Sequence, residues 1–190
     1  MNKTLDKAIR PLIKLMESFG MDTSDWCISG EYAWILNGYD VPMRENHIDI
    51  YVKESKIPWK VRDRVQTVPP KGTPELEAYS KYIEKYNIAL HMVPLPKPKV
   101  TERLIDTYSF KTRVGGADVS VINPTGNLFD LETTLGVYSA EELGQDRLSR
   151  WQSYLEAVYK VTSTKDDKRF TEKSKHLLEK YFHFKSITKA

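Results

Sequence analysis

An aspartate, two histidines and a glycine are the residues of this chain whose types and spacing could carry chemistry. Residues 47–52 alternate, so His47 and Asp49 are predicted to share one face of a strand as a metal-binding pair. Gly30 ends the β-prone stretch 26–29 and precedes a short helix, and its missing Cβ would let a phosphate approach the backbone there. A phosphate site beside a metal-binding pair is what phosphoryl or nucleotidyl transfer requires.

The elements that must position these residues are predicted from apolar spacing and from Gly and Pro. A strand is predicted over 87–93, because Ile88, Leu90 and Met92 alternate with Ala89 and His91. Gly115-Gly116 predicts a two-residue hairpin turn between strands 110–114 and 117–122. Apolar spacing predicts helices over 5–19, 31–36 and 166–182. A capping residue followed by proline predicts helices that begin at Thr73-Pro74 and at Asn123-Pro124. A capping box at Ser139 and Glu142 precedes a helix predicted over 143–161. This order predicts an α+β protein with a mixed-sheet core over 1–123 and a helical region over 124–190.

The segment 26–53 resembles the nucleotidyltransferase superfamily, the polymerase-β-like fold of small antibiotic-modifying enzymes, minimal nucleotidyltransferases and AbiEii-type toxins. That family carries Gly-Ser or Gly-Gly at a strand end, a short helix, an arginine, and Asp-x-Asp on the next strand. The positions that match are Gly30, Ala33, Gly38, Arg44 and Asp49. The resemblance implies a nucleotidyltransferase-like core in which Asp49 holds a divalent cation, while Gly30, Arg44 and Lys53 contact a nucleoside triphosphate.

Three residues depart from the family pattern. Glu31, among the residues expected at the nucleotide, stands where the family has Ser or Gly, and its carboxylate would repel a triphosphate. His47 stands in place of the first metal-binding Asp, and His91 in place of the third acid. Carboxylates suit Mg²⁺, whereas the set of His47, Asp49 and His91 also suits Mn²⁺ or Zn²⁺.

Three functions remain open from these residues. The first is a nucleotidyltransferase that moves a nucleoside monophosphate from an NTP to an RNA or small-molecule acceptor, with Asp49 and His47 as its catalytic residues. The second keeps the fold without catalysis, as a degenerate module that binds nucleotide, RNA or a partner protein. Charge neutralisation at the transferring phosphate supplies most of the rate enhancement, and only one of the three family carboxylates, Asp49, is present. The third is a toxin–antitoxin component whose acceptor is tRNA.

Composition and charge exclude several other classes. With 29% charged residues and 40% hydrophobic residues, the chain has the balance of a globular protein without a membrane span or secretory signal, and we expect it in the cytoplasm. The single cysteine, Cys27, excludes a disulfide framework. The segment 160–190 holds nine Lys or Arg against four Asp or Glu, a basic excess that fits either a polyanion or a solvated helix face.

Overall fold

The computed structural model of the protein describes residues 3–42, 47–53, 56, 89–92, 98–164 and 167–182. Helices and strands alternate over the first part of these residues, and helices follow in the second part. In chain order the elements are α1 (Lys3–Ser18), β1 (Trp26–Ser29), α2 (Gly30–Leu36), β2 (His47–Val52), β3 (Ala89–Met92), α3 (Pro98–Tyr108), β4 (Ser109–Val114), β5 (Ala117–Ile122), α4 (Pro124–Val137), α5 (Ala140–Leu143), α6 (Gln145–Thr164) and α7 (Lys168–Phe182).

The strands form one mixed sheet in the order β3-β2-β1-β5-β4. β1 pairs antiparallel with β2 and parallel with β5, β2 pairs parallel with β3, and β4 pairs antiparallel with β5. All four residues of the central strand β1 are buried, which fits its nearly apolar sequence. Helices combined with a mixed sheet confirm the α+β class predicted from the sequence.

The hairpin of β4 and β5 forms where Gly115-Gly116 predicted it. Both glycines have positive φ, 56° and 77°, the conformation that a two-residue turn of this kind requires. The turn lies on α1, because the Gly115 amide donates a hydrogen bond to the Asp6 carboxylate over 3.1 Å. A Cβ on Gly115 would lie 2.8 Å from Ile9 Cγ2, so only glycine fits this contact.

The helices differ from the sequence-based prediction at two places. α3 begins at Pro98, where no helix was predicted from the sequence. Proline is tolerated in the first turn of a helix, where its missing N–H has no intrahelical partner to lose. The single helix predicted over 143–161 is divided at Gly144, whose φ of 76° ends α5 before α6 begins. The helix predicted from Thr73-Pro74 lies outside the described residues.

The chain separates into two compact units. The first comprises 1–33 and 44–123 and holds the sheet; the second comprises 34–43 and 124–190. The sequence-based division had kept 34–43 with the sheet, but Trp34 and Val41 belong to the buried cluster of the helical unit. That cluster also contains Leu128, Leu131, Tyr154, Leu155, Val158, Leu177 and Leu178. Among the described helices, none is long and apolar enough to cross a membrane.

Candidate functional site

Gly30 and Asp49 meet at the junction of β1 with α2. The register of the antiparallel pair sets Ser29 opposite Asp49, so the next residue, Gly30, falls beside the Asp49 side chain. A Cβ on Gly30 would lie 3.1 Å from Asp49 Cβ and Cγ, and closer still to Oδ2. The Asp49 carboxylate, which is partly exposed, therefore packs on a backbone carbon that has no side chain. Gly30 has a φ of 61°, a second reason for glycine at this position.

Ser29 places a buried hydroxyl next to this junction. Its side chain is 1% exposed, and within the described part of the chain its Oγ has no hydrogen-bond partner. Directly opposed residues of an antiparallel pair share a face, with Cβ atoms about 4.5–5.5 Å apart. Ser29 therefore brings a polar group to the Asp49 side of the sheet that no described residue satisfies.

Glu31 and Tyr32 are buried in the first turn of α2, with side chains 3% and 1% exposed. Burial raises the pKa of the Tyr32 hydroxyl, and the charge of Glu31 raises it further. The sequence suggested that Glu31 would meet a triphosphate and repel it. Because the Glu31 side chain is removed from solvent, it does not form part of an open surface at Gly30.

Only the strand register relates the two predicted histidine ligands to Asp49. Asp49 is the partner of His91 across the parallel pair of β2 and β3, and His47 is the partner of Ala89. The side chains of both histidines lie outside the described residues. Among the side chains that are described, no group of three His, Cys, Asp or Glu could hold a metal ion. The ligand set of His47, Asp49 and His91 stays a prediction.

Lys53 was predicted to contact the nucleotide, and the structure places it elsewhere. Lys53 lies four positions after Asp49, which is roughly 13 Å along a strand. Its backbone amide donates to the carbonyl of Asp25 over 2.8 Å, and its Nζ lies 2.7 Å from Asp106 Oδ1. The hydrogen bond to Asp106 raises the pKa of Lys53. Lys53 thus serves an ion pair at the opposite end of β1 and β2, and Arg44, the other predicted cation, lies outside the described residues.

A cavity of about 360 Å³ also lies at that opposite end, next to Trp26. Its remaining lining residues are Ile13, Glu17, Gly20, Met21, Asp22 and Thr23. Hydrogen bonds from the hydroxyl and the amide of Ser24 lower the pKa of Asp22, which keeps this carboxylate negative. With two acidic residues at its wall, the cavity is unsuited to the phosphates of a nucleotide.

The chemistry of the described donors fits a hard divalent cation at Asp49. A carboxylate oxygen is the ligand that Mg²⁺ and Mn²⁺ prefer, with water completing the coordination shell. The Ser29 hydroxyl beside it has no partner among the described residues, and carboxylates that bind metal ions are held by hydrogen bonds from neighbouring groups. Zn²⁺ would need the imidazoles of His47 and His91, whose side chains are not described.

Sequence reasoning selected Gly30 and Asp49, which the structure brings together, and it missed Ser29. The sequence already shows a polar residue here, because Ser29 precedes Gly30 at the end of a strand otherwise made of Trp26, Cys27 and Ile28. Comparison of the chain with family models, curated proteins and solved structures finds no match.

Proposed function

We propose that the protein is nucleotidyltransferase-like and moves a nucleoside monophosphate from an NTP to an acceptor in a metal-dependent reaction. The observation that supports this most is the contact between Gly30 and the Asp49 carboxylate. It brings the carboxylate of Asp49, a type of group that binds divalent cations, against the backbone where α2 begins.

The residues at that point have separate tasks in the proposed reaction. Asp49 would hold a divalent cation, which supplies charge neutralisation for the phosphates of the bound NTP. Gly30 would let the Asp49 carboxylate pack on the backbone because no Cβ intervenes, and the amides that follow Gly30 would contact the phosphates. The acceptor oxygen attacks the α-phosphorus, the bond from that phosphorus to the bridging oxygen of the β-phosphate breaks, and pyrophosphate leaves. His47, as a neutral second ligand, and Arg44, as a cation near the phosphates, keep the roles predicted for them.

Thermal stabilisation by nucleotides tests the binding step. We expect an NTP with Mg²⁺ or Mn²⁺ to raise the Tm of the wild type, because a ligand that binds only the folded state stabilises it. Asp49→Asn should lose that increase, whereas Asp118→Asn, an exposed aspartate on β5, should keep it. If no nucleotide–metal pair shifts the Tm, or if both variants respond alike, the proposal is wrong.

Transfer from a labelled NTP to RNA or to small-molecule acceptors separates catalysis from binding. Label incorporation that Asp49→Asn abolishes would support the enzyme. The alternative, a degenerate module that binds nucleotide or RNA without turnover, is favoured by the histidine at position 91, which pairs with Asp49 where the family has an acid. Metal-dependent binding without incorporation on any acceptor, tRNA included, would favour this module.

A further inference from the structure

We infer that Ser29 is a positioning residue of the Asp49 site and that its hydroxyl donates a hydrogen bond to the Asp49 carboxylate when that carboxylate holds a divalent cation. This deepens the proposed function and rests on it. Ser29 touches neither the nucleotide nor the acceptor in this proposal, because its side chain is 1% exposed.

Within the described residues, the buried Ser29 hydroxyl lacks the hydrogen-bond partner that such groups usually have. A buried hydroxyl without a partner is unfavourable in the folded state, and native proteins seldom retain one. Ser120, a second buried serine on the neighbouring strand β5, shows the ordinary outcome, since its hydroxyl donates to the Thr23 carbonyl over 2.6 Å. Ser29 makes no such bond within the described residues.

Ser29 also lies next to Asp49 across the antiparallel pair of β1 and β2. It is the register partner of Asp49, so its side chain emerges on the same face of the sheet, within about 5.5 Å between Cβ atoms. Rotation of the Ser29 hydroxyl about χ1 is then sufficient to bring a donor toward a carboxylate oxygen. Carboxylates that bind metal ions are themselves held by hydrogen bonds from neighbouring groups, and this support increases their affinity for the ion.

The test measures Mn²⁺ binding to the full chain by the electron paramagnetic resonance signal of free Mn²⁺, with the Tm of the metal-free protein recorded in parallel. Ser29→Ala should weaken Mn²⁺ binding by about tenfold, with a Tm equal to or above that of the wild type because an unsatisfied hydroxyl is removed. Ser120→Ala, the matched control, should lower the Tm and leave Mn²⁺ affinity unchanged. Ser29→Thr, which keeps a hydroxyl, should retain affinity even if its extra methyl group lowers the Tm.

The Asp49→Asn variant keeps the two proposals distinguishable. If Asp49→Asn loses Mn²⁺ binding while Ser29→Ala binds like the wild type, the role of Ser29 is wrong and the proposed metal site stands. Equal weakening in Ser29→Ala and Ser29→Thr also overturns the role of the hydroxyl. If the wild type binds no Mn²⁺, or Asp49→Asn binds it equally well, both proposals are wrong.

Discussion

At the scale of single residues, Gly30 and Asp49 show what a sequence pattern can establish. Strand alternation predicted Asp49 on the face opposite Ile48 and Ile50, which are buried, and the glycine at the strand end leaves room for the Asp49 carboxylate. Lys53, which was assigned to the same site, lies four positions of extended chain from Asp49, just past the other end of β2. The burial of Glu31 was not predictable from the sequence. An acid in the first turn of a helix can face solvent or protein, and tertiary packing decides which.

Replacing Gly30 tests the contact with Asp49 directly. Gly30→Ala should lower the free energy of unfolding by about 1–2 kcal/mol for its positive φ and by about 1–3 kcal/mol more for the collision of the new methyl group with Asp49. Gly20→Ala is the matched control, because Gly20 also has a positive φ, 76°, but has nothing within 4 Å of an added Cβ. Urea denaturation measures the free energy of unfolding of both variants, and equal decreases in the two would contradict the proposed collision.

At the scale of secondary-structure elements, local signals predicted most of the described boundaries. The strand His47–Val52 and the strand Trp26–Ser29 were predicted at their observed bounds, and Gly115-Gly116 marked the hairpin turn. α3 was not predicted because Pro94, Pro96 and Pro98 disfavour regular structure, although Leu104 and Ile105 give this helix a buried side. The order of strands was not predictable, because parallel pairing depends on contacts between distant parts of the chain.

The contact between the hairpin turn and α1 yields a prediction at this scale. Gly115→Ala should destabilise the protein by about 2–4 kcal/mol, because a positive φ is combined with a clash against α1, where backbone atoms of Asp6 cannot give way. Gly116→Ala, at the next position of the turn, should cost only about 1–2 kcal/mol. Its added Cβ would meet the flexible end of the Arg10 side chain at 3.2 Å. Thermal denaturation measures the Tm of both variants, and a larger decrease in Tm for Gly116→Ala than for Gly115→Ala would contradict the predicted clash with α1.

At the scale of the whole molecule, the division at residues 123 and 124 follows from Asn123-Pro124, which begins α4. Sequence reasoning did not foresee that 34–43 would join the helical unit. Trp34 and Val41 are ordinary apolar residues on either side of a turn, and their burial against distant leucines is a property of the folded chain. Local spacing carries no information about which core such residues enter.

The stability of the folded chain should fall in alkaline solution. Burial raises the pKa of Cys27 from 9.0 to about 12, so the folded state keeps a proton that the unfolded state releases. Stability from this group is fully present below pH 9 and is lost between pH 9 and about 12, at about 1.4 kcal/mol per pH unit. The raised pKa values of Tyr32, Tyr39 and Lys53 act in the same direction.

Comparison with Cys27→Ala isolates the thiol in this pH dependence. The variant should lose stability less steeply than the wild type between pH 9 and 10.5 when both are followed by urea denaturation. Parallel curves for the two proteins would show that the Cys27 thiol does not govern this range.

The parallel pairing of β1 with β5 joins Ile28 to Val121, roughly 90 residues later in the chain. A pairing this remote makes folding slow, since a long segment must be ordered before the two strands can meet. During synthesis on the ribosome, the apolar strand β1 leaves the exit tunnel long before the strand that will cover its second edge has been translated. We therefore expect the nascent protein to expose an apolar strand edge for several seconds, an edge that chaperones could shield until residue 122 has left the ribosome.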